Sequence, residues 1–205
     1  MTAAASKDTA TKIAKLLVAS ATKKAAVAVD TPAPAEAQGD KKSGMPLGGE
    51  VLRLVQQQYH KEEASAQIYY ALTAYFLDIK LEGFAAYFHK AAEEEHKHAM
   101  KFFDFLAKCN VRLQPQQMDV ARTAFSSPLE ATTFFLTHEQ EVTRLIQAIA
   151  DACMSVKDYY TFEFIGWFLA EQLEEVRKAE DLNKKMALAQ DDRAALLLLD
   201  HELKG

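Results

Sequence analysis

The sequence predicts an all-α chain: an antiparallel four-helix bundle with a long crossover between its second and third helices and a short fifth helix at the C-terminus. Three observations predict it. The 205 residues favour Ala, Leu, Glu, Lys and Gln, with only seven Gly and five Pro to turn hairpins. Four segments beyond residue 48 place an apolar side chain every three or four positions. The links between those segments run short, long, short, which suits two helical hairpins joined by a strap along the bundle.

Residues 1–45 stand apart. They are rich in Ala, Ser, Thr and Lys and lack aromatics, and Pro32, Pro34 and Gly39-Asp40-Lys41-Lys42 interrupt any periodicity. Seven Lys against four acids make this stretch basic in a chain of net charge −5. It reads as an N-terminal extension to a single domain at 46–205. With eight Ser and Thr and only four acids it resembles a plastid (chloroplast) transit peptide, although it has no Arg and the acids Asp8, Asp30, Glu36 and Asp40 are spread along it. The alternative is a disordered extension without an address on a cytoplasmic protein.

The first stripe runs through Leu52, Val55, Tyr59, Glu63, Ala66, Tyr70, Thr73 and Leu77. The second takes Phe84, Phe88, Ala91, Glu95, His98, Phe102, Phe105 and Cys109. Between them, 78–82 is short enough to make the two helices antiparallel neighbours. A link at 110–125 containing Pro115 serves as the crossover, and Ser127-Pro128-Leu129-Glu130 supplies an N-cap, a first-turn proline and a capping-box acid. The third stripe is Thr132, Phe135, Glu139, Val142, Ile146, Ile149 and Cys153; after a turn at 154–158, the fourth is Thr161, Ile165, Phe168, Gln172, Glu175, Ala179, Leu182 and Met186. A last apolar run, 194–199, follows Asp191 and Asp192 as the fifth helix.

Charge and cysteine usage narrow the function. A net charge of −5 and no basic patch with interleaved aromatics argue against nucleic acid and favour cations. No uninterrupted apolar run reaches the roughly 20 residues that span a bilayer, so no membrane partner is expected. Cys109 and Cys153 match no metal-binding spacing and read as small buried side chains.

All four stripes share one anomaly: an acid at mid-length. An ionised carboxylate in an apolar stripe costs several kcal/mol unless it is paired, protonated or bound to a cation. Glu63, Glu95, Glu139 and Glu175 would bring up to four negative charges into one region with no Lys or Arg on the stripes, and a multivalent cation would neutralise them. Carboxylate oxygens with one imidazole suit iron or manganese and could admit zinc. Glu95 and His98 form Glu-x-x-His, which stacks both side chains on one helix face as a chelating pair. Tyr70, two turns beyond Glu63, is placed to hydrogen-bond a ligand or donate an electron. Singly, each of these residues is more often ordinary core or surface. Their coincidence on four stripes points to a metal site.

These residues resemble the ferritin family, specifically the prokaryotic-type non-haem ferritins, over residues 46–203. The resemblance rests on Lys61-Glu62-Glu63 with Tyr69-Tyr70, on Ala92-Glu93-Glu94-Glu95-His96-Lys97-His98 with Phe103-Asp104, on His138-Glu139-Gln140, and on Trp167 with Glu171-Gln172-Leu173-Glu174-Glu175. It implies a first iron held by Glu63, Glu95 and His98, and a second held by Glu95 as bridge with Glu139 and Glu175, supported by Gln172. It further implies a third iron position made by Glu94, Glu171, Glu174 and Glu175, with Tyr70 and Trp167 beside the first site. Bacterioferritins carry a second Glu-x-x-His on the last bundle helix, whereas Gln172-Leu173-Glu174-Glu175 has no His, which argues against that relative; the resemblance to non-haem ferritins implies no haem. The function implied is ferroxidase activity, oxidation of Fe(II) by O2, with storage of ferric mineral in a homo-oligomeric 24-subunit cage. Two alternatives stay open at this point: a di-iron oxidase acting on another substrate, and a non-catalytic structural bundle whose acids are protonated or paired.

Overall fold

A computed structural model describes residues 47–190 and 192–204. The reading of residues 1–45 as an extension or transit peptide lies outside the described residues. Those described form five helices: α1 Gly49–Asp78, α2 Glu82–Lys108, α3 Pro128–Val156, α4 Tyr159–Ala189 and α5 Arg193–Leu203. None of the helices is long and apolar enough to cross a membrane.

Each boundary has a local cause. α1 begins at Gly49, whose φ of 61° is open to glycine at little cost. α3 starts where Ser127 Oγ accepts from Glu130 N–H at 3.1 Å, while the Glu130 carboxylate accepts from Ser126 N–H at 2.6 Å and pairs with Arg122. The capping box thus closes one residue earlier than its usual pairing. α3 also runs three residues into the expected turn at 154–158, because Lys157 takes the left-handed conformation (φ 59°) and lets Asp158 N–H reach Cys153 O at 2.9 Å. Asp158 then caps α4 by accepting from Thr161 N–H, so the α3–α4 corner is only two residues.

The α1–α2 and α3–α4 hairpins pack through α1 against α3, with α2 and α4 meeting through Phe102 and Phe168, whose rings lie 4.2 Å apart. The crossover, 109–127, runs the length of α1: Gln114 meets Gln56 and His60 near its start, and Phe125 packs on Tyr75 near its finish. α3 therefore starts beside the end of α1 and lies antiparallel to it. The fifth helix is longer than the apolar run that announced it, because Asp192 caps it and Asp200, within it, reaches α2. The buried Asp200 carboxylate accepts from Gly83 N–H at 2.6 Å and Phe84 N–H at 3.1 Å, satisfying two free donors at the N-terminus of α2. A Cβ on Gly83 would run into the Asp200 carbonyl, so glycine is what allows this approach.

The core is two apolar layers. One gathers Tyr69, Leu72, Phe76, Phe84, Phe88 and Phe135, with Phe76 stacked on both Phe84 and Phe88. The other gathers Val51, Val55, Phe102, Ile146, Ile165 and Phe168. Cys109 and Cys153 are free and buried, as their apolar reading requires, and burial pushes the Cys153 thiol up to about 11. On every one of the four long helices the stretch between the two layers is polar, and there the candidate site lies.

Candidate metal centre

Four helices bring carboxylates to this band. Glu62 on α1, Glu95 on α2 and Glu139 on α3 are buried, and Glu175 on α4 is 8% exposed. Glu62, Glu95 and His98 each offer a ligand atom within 4.8 Å of the others, and His98 Nδ1 lies 3.3 Å from Glu95 Oε2. Gln58 donates to Glu62 Oε1 at 2.9 Å, and the Tyr69 hydroxyl donates to Glu139 Oε1. The remaining oxygens, Glu62 Oε2 and Glu139 Oε2, are buried without a hydrogen-bond partner. Leaving a buried polar atom unpartnered costs about 1–3 kcal/mol, more if it is charged, so these two oxygens fit a cation-binding role.

The first helix requires a correction. The structure brings Glu62, not Glu63, to the cluster, and Tyr69, not Tyr70, to the third helix's acid. The buried face of α1 runs Val51, Val55, Gln58, Glu62, Ser65, Tyr69, Leu72, Phe76, one residue out of phase with the stripe drawn through Glu63 and Leu77. One residue turns a side chain about 100° around a helix. Glu63 faces α2 near the surface, 3.0 Å from His96 Nδ1, and Tyr70 is exposed, its ring 5.6 Å from that of His89. The signal that would have found the phase is the run of bulky apolar residues Leu72, Phe76 and Val51, all fully buried, against the half-exposed Leu77.

The other stripes fall as expected. Glu95, His98, Glu139, Gln172 and Glu175 are all buried. Gln172 accepts from Thr143 Oγ1 at 2.8 Å, which orients its amide. Trp167 stands edge-on to the His98 ring at 5.4 Å, with Lys101 Nζ 4.1 Å from its centroid. Of the residues assigned to a third position, Glu175 is in the band, Glu94 and Glu171 are partly exposed at its edge, and Glu174 is exposed. Two polar residues that periodicity did not single out complete the band: Ser65 Oγ donates to Lys61 O and lies 2.7 Å from the buried His138 Nε2. One cation enters after all. Lys178, outside the fourth stripe, reaches back one turn to Glu175 Oε1 at 2.8 Å.

Burial dominates the electrostatics. It raises the Glu62 and Glu95 carboxyls well above their ordinary range, with Glu95 adding to the rise at Glu62, and Glu139 and Glu175 to that at Glu95. Glu139 is pushed up to about 8, chiefly by burial, against the pull of Tyr69's hydrogen bond. Burial lowers His98 and takes His138 down to about 4, keeping both imidazoles neutral near pH 7. A carboxyl with a raised folded-state pKa stabilises the fold below its unfolded pKa, and that contribution is lost as pH rises through the folded value. The histidines act oppositely and lose theirs only as pH falls below about 6.5. Metal-free protein is therefore expected to lose stability as pH rises from 6.5 to 9, with Glu139 alone contributing on the order of 2 kcal/mol and Glu62 and Glu95 adding in the same direction. Denaturant unfolding across that range measures it, and a divalent cation should abolish the loss while releasing protons. A flat profile would contradict the assignment of these acids as buried and unpaired.

Four carboxylates and one neutral imidazole, converging from four helices on one buried band, give a helical bundle the donor set of a metal-carboxylate centre. The sequence model of the ferritin-like domain matches residues 52–189. Over 157 residues the chain is 32% identical to bacterial non-heme ferritins of Staphylococcus aureus strain USA300 and Staphylococcus haemolyticus strain JCSC1435, an overlap covering 77% of this chain and 95% of each relative. Among solved structures it is similar to an open pore ferritin from the hyperthermophilic archaeon Archaeoglobus fulgidus, with TM-score 0.75 and 34% identity over 77% of this chain and 98% of that one. A closed form engineered from that ferritin matches with the same TM-score and identity, over 77% and 96%. The chain belongs to the ferritin-like domain family, and its relatives are non-haem ferritins, which makes iron its family's metal.

Proposed function

We propose that this protein is a ferroxidase that oxidises Fe(II) with O2 at the buried centre and stores the ferric product as mineral within a 24-subunit shell. The observation that carries the proposal is the Glu62–Glu95–His98 cluster, with Glu139 and Glu175 facing it from the other two helices. Iron is the substrate here. One Fe(II) is held by Glu62, Glu95 and His98, and a second by Glu95, Glu139 and Glu175. Glu95 bridges, since its carboxylate feels both Glu62 and the Glu139–Glu175 pair.

The chemistry follows from the donors. Anionic oxygen ligands stabilise Fe(III) over Fe(II) and so favour electron loss to dioxygen. Two Fe(II) give up one electron each, and with two protons O2 is reduced to hydrogen peroxide. The carboxyl groups must release their own protons to bind iron, which ties iron uptake to pH. Tyr69 holds Glu139 in place through its hydroxyl, and Gln172, fixed by Thr143, lines the second position. A single imidazole and an excess of carboxylates suit a site through which iron passes. Glu94, Glu171 and Glu174 with Glu175 form the third position in this reading, supported by the charges of Glu94 on Glu95 and of Glu171 on His98.

Stopped-flow absorbance at increasing Fe(II) per subunit tests the proposal, with size exclusion on the same sample. The fast phase should saturate near two or three Fe(II) per subunit, and the protein should elute near 24 times the subunit mass. Saturation below one Fe(II) per subunit, or a monomer that lays down no mineral, would overturn it.

A further inference from the structure

Lys178 is the one ammonium that makes an ion pair with a buried carboxylate of the centre among the described residues. Glu171, Glu175 and Lys178 lie at i, i+4 and i+7, one face of α4, so the half-exposed lysine reaches back along the helix to Glu175. Burial alone would lower its pKa, but the Glu175 hydrogen bond and the charges of Glu175, Glu94 and Glu171 outweigh that and keep it protonated. Lys178 also lines a 190 Å³ cavity, together with Tyr87, Asp181, Lys185, Leu199 and Glu202. Asp181, one turn beyond Lys178, offers the ammonium a second carboxylate there. Glu202 is already paired with Lys185.

We propose that Lys178 is a tethered counter-cation of the metal centre: its ammonium holds Glu175 until a divalent cation arrives, then swings to Asp181 in the adjoining cavity. The inference rests on the metal-centre reading above and adds a residue that controls it. A lysine already bound to Glu175 must be displaced by any cation using that carboxylate. It weakens cation binding at the second and third positions, where Glu175 is a ligand, and leaves the Glu62–Glu95–His98 position untouched. A cation thus enters at the histidine side first and leaves more readily from the Glu175 side, which gives the site a direction. Breaking the ammonium's pairing before binding is an electrostatic cost, not a steric one, so charge and not size at residue 178 decides the effect.

Calorimetric titration of the assembled full chain with Zn(II), which has no redox chemistry of its own, tests this in wild type, Lys178→Met, Lys178→Arg and Glu95→Gln. The methionine variant keeps the bulk and loses the charge. It is expected to bind Zn(II) roughly fivefold more tightly in the weaker phase, with the tighter phase unchanged, while the arginine variant follows wild type. Equal affinities in Lys178→Met and wild type would overturn the role of the lysine and leave the centre intact. Equal tightening in the methionine and arginine variants would overturn it as well, since charge would then not be the cause. Zn(II) binding that Glu95→Gln leaves wholly unchanged would overturn the metal centre itself, and the lysine proposal with it.

Discussion

Glu95→Gln is expected to slow the fast aerobic oxidation of Fe(II) by roughly 100-fold or more, since loss of even an outer partner of a metal ligand costs 10–100-fold. Glu95 lies between the Glu62–His98 side and the Glu139–Glu175 side of the centre, so it is the one residue both proposed iron positions share. A glutamine has the same volume, so the packing between the two apolar layers survives. It cannot carry the negative charge that neutralises two cations, and its NH2 group has no lone pair to donate. Burial already raises the Glu95 carboxyl, so a neutral amide is no less at home there, and unfolding at low pH should move little. Stopped-flow absorbance reads the rate. A wild-type rate in a folded variant would sink the assigned centre.

The second large effect separates two adjacent glutamates. Glu62→Gln should lose the fast phase on the same scale, and Glu63→Gln should stay within about twofold of wild type, because about 100° of helix rotation divides them. Glu62 has a buried, unpartnered oxygen within reach of Glu95 and His98, whereas Glu63 has solvent and His96. The pair controls for itself, since both substitutions remove one charge from the same helix turn. Loss of the fast phase in Glu63→Gln with its retention in Glu62→Gln would restore the other register.

Much of this was legible before folding. α2, α3 and α4 each carry one apolar stripe flanked by polar residues, and on these helices the stripe, the mid-length acid and its buried position coincide: Glu95, Glu139 and Glu175 lie where periodicity puts them. Glu-x-x-His marked the imidazole for the same reason, as i and i+3 share a face whatever the helix packs on. α1 was ambiguous because it has two overlapping stripes, one through Leu52, Tyr59, Tyr70 and Leu77 and one through Val51, Tyr69, Leu72 and Phe76, which share Val55 and Ala66. Lys178 escaped because a long side chain can reach a turn back along its own helix to a buried partner from a position outside the stripe.

The sequence by itself determined the number of helices, their order, the strap between the second and third, and a carboxylate-rich band at mid-bundle. Those follow from helix propensity, link length and the cost of burying charge, all of which are local. Tertiary structure decided between the two overlapping stripes of α1, bringing Glu62 rather than Glu63 and Tyr69 rather than Tyr70 to the buried band. The packing of Phe76 against Phe84 and Phe88 sets the rotation of α1 about its axis, and that rotation turns Glu62 and Tyr69 inward. Contacts between distant segments settled the rest: Asp200 reaching the start of α2, and Lys178 lying between Glu175 and the cavity beside α5.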